Sequence, residues 1–230
     1  LLLNILPLET ASELKRNGKA KAKHYESVTV MFTDFKGFTN IAEKLSAEEL
    51  VSELDFLFKK FDEIISKYNI EKIKTIGDAY MCASGLPTPN TSHAENIVRA
   101  AIEIQQWMTS PLSPLSLRRG AGGEAVRWQL RIGIHSGPVT AGVVGDKKFA
   151  YDIWGDTVNT ASRMESSGEA GKINISGSTY LALKESPLIH LLKGESVAGG
   201  FAFTHRGKIS AKNKGEIDMY FVEQGGMEKL

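Results

Sequence analysis

The sequence has one cysteine in 230 residues, Cys82, which rules out an intrachain disulfide and predicts a reducing, cytoplasmic setting. Cys82 lies in the apolar run Tyr80-Met81-Cys82-Ala83 and reads as core. Long hydrophobic runs are also missing: nothing approaches the roughly 18 apolar residues that a membrane-spanning helix needs. Charge of one sign is lacking too, since 28 Lys and Arg face 27 Asp and Glu. The resulting +1 argues against nucleic acid or a membrane surface as partner, so any phosphate-binding charge must be local. Proline is sparse, at 7 residues, and Pro111 and Pro114 both fall in 110–125, a glycine-containing stretch without periodicity that reads as a surface insertion.

What is present, 42% hydrophobic residues in short patterned segments, suffices for one compact domain with appendages. Residues 1–26 open on Leu1-Leu2-Leu3-Asn4-Ile5-Leu6-Pro7 and pass through a basic, flexible Gly18 to Lys23. They read as a connector, the end of an upstream helix and a linker, leading into a domain over 27–230. Ser27 to Thr33 alternates as a buried strand and ends at Asp34. Ser46-Ala47-Glu48-Glu49 has the form of a capping box, and Val51, Leu54, Phe58, Phe61 and Ile65 then predict the inner face of a long helix. Ile70 to Ile76 and Tyr80 to Ala83 flank Gly77-Asp78 as a tight hairpin, which puts Asp78 at a strand tip. A second helix runs from His93 to Met108 with Ile97, Ala101, Ile104 and Met108 on one face.

Further along, Gln129 to His135 and Val139 to Val144 predict two strands around a turn at Ser136-Gly137-Pro138. Thr157 to Glu165 is expected as helix, Lys172 to Ile175 as strand and Ser178 to Lys184 as a short helix. Phe201 to Ile209 and Ile217 to Val222 make a closing hairpin with Lys212-Asn213-Lys214-Gly215 in its turn. This order predicts an α+β fold, a ferredoxin-like βαββαβ core with additional strands and helices, rather than a doubly wound sheet.

Two carboxylates at strand tips are what a two-metal phosphoryl-transfer site requires, because hard divalent cations want rigidly held carboxylate oxygens. Asp34 and Asp78 meet that need, although a helix cap and an ordinary turn residue would look the same one at a time. After Asp34 comes Phe35-Lys36-Gly37-Phe38-Thr39 entering a helix, so backbone N–H groups there can meet phosphate oxygens. His135, in Gly133-Ile134-His135-Ser136-Gly137, reads as structural rather than as a general base.

Three segments are far more specific together: Val30-Met31-Phe32-Thr33-Asp34-Phe35-Lys36-Gly37-Phe38-Thr39, Lys72-Ile73-Lys74-Thr75-Ile76-Gly77-Asp78-Ala79-Tyr80-Met81 and Tyr151-Asp152-Ile153-Trp154-Gly155-Asp156-Thr157-Val158-Asn159-Thr160-Ala161-Ser162-Arg163-Met164. From about Val28 to Val222 the chain resembles the catalytic domains of class III adenylyl and guanylyl cyclases. The resemblance implies a lyase that closes a nucleoside triphosphate to its 3′,5′-cyclic monophosphate with two Mg²⁺ or Mn²⁺ ions per site. Asp34 and Asp78 match its metal-binding aspartates, with the Phe35 carbonyl a further ligand. Asn159 matches its ribose-orienting asparagine, Arg163 its α-phosphate arginine, and Lys212 the lysine of the β- and γ-phosphates, with Lys214 a weaker candidate.

At the two base-reading positions of that family stand Lys74 and Asp152. An ammonium can donate to adenine N1 and a carboxylate can accept from the 6-amino group, whereas guanine presents N1–H and an oxygen there. Guanylyl cyclases usually carry glutamate and a small cysteine or serine instead, so the resemblance implies ATP as substrate. Taken alone, Lys74 also fits a solvated edge-strand lysine. The family pairs its domains head to tail with each site shared, and this chain carries both halves, which implies a homodimer beneath an upstream sensor domain. A guanylyl cyclase and a nucleotide-binding domain without turnover are the alternatives.

Overall fold

The computed structural model describes residues 5–110, 128–145, 147–185, 200–211 and 215–225. The predicted insertion therefore lies, from 111 onward, outside the described residues, as do Lys212 and Lys214. Chain order is α1 (Leu8–Asn17), β1 (Lys23–Phe35), α2 (Phe38–Ala42), α3 (Ala47–Lys67), β2 (Glu71–Ile76), β3 (Ala79–Ser84), α4 (His93–Thr109), β4 (Leu130–Val144), β5 (Ala150–Trp154), α5 (Asp156–Ser166), β6 (Ile173–Ser176), α6 (Gly177–Lys184), β7 (Phe201–Ala211) and β8 (Gly215–Gln224). Among the described residues the strands form one sheet in the order β2-β3-β1-β4-β6-β8-β7, with β5 also paired to β4. Only β4 and β6 run parallel; the other pairs are antiparallel. The α+β class is as expected.

Alternation along β1 divides the core. Met31 and Phe35 point to a cluster built with Leu57, Phe61, Ile64, Ile97 and Ile104 of α3 and α4, while Val28, Val30 and Phe32 point to a second cluster on the opposite face. That second cluster takes Ala161 of α5 and also Leu6, Ala11 and Leu14, so the leader ends in a ten-residue helix packed on this domain. The capping box of α3 is formed reciprocally by Ser46 and Glu49. Its inner face is turned from the one expected: Leu57, Phe61, Ile64 and Ile65 are buried, and Val51 is 66% exposed. Apolar residues occupy more than one stripe of this helix, and packing against α4 and β2 selects among them.

The two strands expected between Gln129 and Val144 are one continuous strand, β4. Pro138 is accommodated by a slip in the partner, where Tyr25 pairs with Val139 and Val28 with Gly137, so two β1 residues face the proline that lacks an N–H. The short strand β5, which pairs with the far half of β4, has no counterpart in the sequence reading. His135 is buried, with Nδ1 2.7 Å from Ser176 Oγ.

Close approach of α5 to β4 depends on glycine. A Cβ at Gly133 would stand 1.8 Å from the backbone nitrogen of Glu165, and one at Gly137 would stand 2.6 Å from Thr157 Oγ1. The helix thus lies along β4 with Thr157, Ala161 and Met164 inward. Gly133→Ala is expected to destabilise the fold by at least about 2 kcal/mol in urea denaturation, because the obstacle is helix backbone. Gly142→Ala, whose Cβ would meet nothing nearer than 3.5 Å, is the control and should stay within about 1 kcal/mol of wild type.

Candidate active site

β1 ends in Asp34-Phe35, and a two-residue turn at Gly77-Asp78 joins β2 to β3. The pairings Thr33↔Tyr80 and Ile76↔Ala79 carry both aspartates to one edge of the sheet, where the Asp34 and Asp78 side chains come within hydrogen-bonding reach. Burial raises Asp78 above the ordinary carboxylate range and the Asp34 charge raises it further, while the N–H groups of Asp78 and Phe35 favour its ionised form. Phe35 anchors this edge: its ring is 2% exposed and packs 5.1 Å from Trp128 and 6.4 Å from Phe61.

Sequence reasoning missed Arg131. It faces Asp34 directly in the β1–β4 register, and its guanidinium donates to the Asp34 carboxylate. Its Nε stands 2.9 Å from Glu165 Oε1, an ion pair whose atoms are not aligned for a hydrogen bond. Burial pushes the Glu165 carboxyl up to about 7 against the pull of Arg131. The signal was a lone charge in Leu130-Arg131-Ile132-Gly133-Ile134, since a charge in an apolar strand needs a partner.

Two adjacent carboxylates, one with its acidity weakened by the other, form a donor set that fits a hard divalent cation, which would neutralise both. Asp34, Asp78 and the Phe35 carbonyl would hold it. Among the described residues no group of three or more His, Cys, Asp or Glu side chains is placed to hold an ion, so water and substrate oxygens must complete the shell. Of the adjoining segment, Lys36, Gly37 and Thr39 are exposed and Phe38 is half-buried. Gly37 has φ 74°, the left-handed turn that starts α2. With only five residues, α2 offers an anion individual N–H groups rather than a sizeable macrodipole.

Lys74 in β2 and Asp152 in β5 meet across the second face: Nζ donates to Oδ2 at 2.5 Å, and Asp152 Oδ1 accepts from the Ile153 N–H at 2.9 Å. The Asp152 side chain is 16% exposed and that of Lys74 41%. Asn159 is exposed and Arg163 half-buried, four residues apart on α5. Thus the structure joins Asp34 to Asp78 and Lys74 to Asp152, while Asn159 and Arg163 stand apart on α5.

The profile of the adenylate and guanylate cyclase catalytic domain family matches residues 20–224. A guanylate cyclase soluble subunit beta-2 from Rattus norvegicus is 38% identical over 97% of this chain, and an adenylate cyclase from Mycobacterium bovis is 36% identical over 96%. The chain spans 30% of the length of the rat protein and 45% of the mycobacterial one. Among solved structures, the catalytic core of a rhodopsin-guanylyl cyclase with converted specificity, in complex with ATPαS, superposes with a TM-score of 0.74 at 38% identity, covering 89% of this chain and 98% of that one. With the profile spanning nearly the whole domain and the fold shared, this chain belongs to the adenylate and guanylate cyclase catalytic domain family.

Proposed function

We propose that residues 27–230 form an adenylyl cyclase domain that converts ATP to 3′,5′-cyclic AMP and pyrophosphate. The observation that carries the choice of base is the Lys74–Asp152 pair, a donor and an acceptor held 2.5 Å apart. Adenine N1 and its 6-amino group present the complementary acceptor and donor; guanine reverses both, and each mismatched buried contact costs about 1–3 kcal/mol. Relatives of both specificities are known, so the base assignment rests on this pair.

Magnesium or manganese ions held by Asp34, Asp78 and the Phe35 carbonyl would supply charge neutralisation on the triphosphate and acidity to the ribose 3′-hydroxyl. The protein's own residues do the rest. Asn159 orients the ribose, Arg163 stabilises the charge that develops on the α-phosphate, and Lys212 with the N–H groups of Lys36 to Thr39 holds the outer phosphates. Arg131 keeps Asp34 balanced by a cation before substrate arrives. Asn159 and Arg163 lie on α5 while the aspartates lie at the end of β1 and in the β2–β3 turn, and in this reading the two sets meet across a head-to-tail homodimer with each site built from two copies. In the same reading, residues 1–26 connect to an upstream sensor, and α1, seated on the second cluster, passes its movement to the domain. No helix among the described residues is long and apolar enough to cross a membrane.

Product analysis with ATP and GTP in separate reactions should give cyclic AMP with little cyclic GMP. Lys74→Glu combined with Asp152→Ser should lower kcat/KM for ATP about 100-fold and raise GTP turnover above wild type. Equal use of both nucleotides by the wild type would overturn the base assignment. Mixing two variants of low residual activity, Asp34→Ala and Arg163→Ala, should raise activity well above that of either alone, since one of the two sites in a mixed dimer is intact. No recovery, with subunit exchange demonstrated, would refute the shared site.

A further inference from the structure

The β7–β8 ladder slips after His205: two residues, Arg206 and Gly207, face the single Met219, and Gly207 adopts φ 88°. The bulge sends Arg206 across to the end of α5. Its Nη1 donates to the backbone carbonyl of Ser167 at 3.0 Å, and its Nη2 donates to Glu169 Oε1 at 3.1 Å. The guanidinium also lies 4.0 Å over the ring of Phe221, and the side chain is 15% exposed. Ser167 is the residue that closes α5, and its N–H bonds the carbonyl of Arg163 at 3.0 Å. One residue, Ser167, thus links the Arg206 guanidinium to the backbone carbonyl of Arg163. A helix end leaves carbonyls without partners and carries partial negative charge, so a cationic donor there is well placed. Glu169 is mostly exposed and adds little; the carbonyl bond and the ring contact make the clamp.

We infer that Arg206 is a positioning residue for Arg163, fixing the last turn of α5 and with it the point from which Arg163 reaches the reacting phosphate. The inference rests on the reading above, in which Arg163 stabilises charge in the transition state. A group with that role contributes fully only when held to within about 1 Å. Asn174 Nδ2 holds the Met164 carbonyl of the same turn at 2.8 Å, and Arg206 fixes Ser167, which closes it. The bulge is consistent with this, since a regular ladder would keep residue 206 in the hairpin and away from Ser167.

Kinetics of cyclic AMP formation by the full chain test it, with Arg163→Ala, Arg206→Met, Arg206→Lys and the double variant Arg163→Ala/Arg206→Met. Methionine keeps apolar contact over Phe221 and loses the donors. Arg206→Met should lower kcat about tenfold with KM for ATP within about twofold, and Arg206→Lys should recover most of the loss. The double variant should be no more than about twofold slower than Arg163→Ala, because the second change removes only what Arg163 had used. Multiplying losses, a change in KM alone, or an unaffected kcat would overturn the inference while leaving a slow Arg163→Ala, and so the role of Arg163, intact. A fully active Arg163→Ala would instead remove that role and the inference with it. Thermal melting checks each variant's fold; should Arg206→Met not fold, the coupling of Arg206→Lys with Arg163→Ala decides by the same criterion.

Discussion

Two negative charges held side by side at the end of β1 and in the β2–β3 turn are the constraint around which this domain is arranged. Asp34 and Asp78 would separate if their strands were free to slide, but the β1–β3 register is set by alternating core residues and the turn has only two positions. Burial first and the Asp34 charge second raise the pKa of Asp78, and the guanidinium of Arg131 on Asp34 and backbone N–H groups on Asp78 work against that cost. Phe35, buried among Trp128, Phe58 and Phe61, prevents the edge from relaxing outward. Such a preloaded site gains most from a cation that neutralises it.

The other residues of the proposed site lie on α5, whose placement against β4 is tightly constrained. Glycines at 133 and 137 let the helix sit directly on β4, so Glu165 approaches Arg131 from one side while Asn159 lies exposed on α5. Within one chain the aspartate edge is formed by β1 and the β2–β3 turn, and Asn159 and Arg163 belong to α5. On the proposed reading a single copy presents two half-sites, and activity depends on how two copies are aligned. Small rotations imposed from an upstream segment would misplace groups that must register within about 1 Å.

Local patterns carried much of this in the sequence. The Thr33-Asp34-Phe35 and Gly77-Asp78 segments placed both aspartates at strand tips, and the capping box set the start of α3. What stayed hidden was decided by partners distant in sequence. Pro138 looked like a turn because its compensating bulge lies in β1, and the inner face of α3 was ambiguous because several apolar stripes competed. β5 escaped because four of its five residues fall within a motif read for chemistry rather than for strand pattern. Arg131 was visible as an isolated charge, yet its role depends on pairing with a residue 97 positions earlier. That Lys74 and Asp152, 78 positions apart, serve one site was implied only by family resemblance, and the fold brings β2 to β5 so that the two side chains meet.

If the Asp34–Asp78 edge receives divalent cations, thermal melting with and without Mn²⁺ should reveal it. On this account Asp78→Asn raises the melting temperature of the metal-free protein, because it removes a buried like-charge contact, and abolishes the rise that Mn²⁺ produces in the wild type. An undiminished Mn²⁺ response in Asp78→Asn, or none in the wild type, would contradict it.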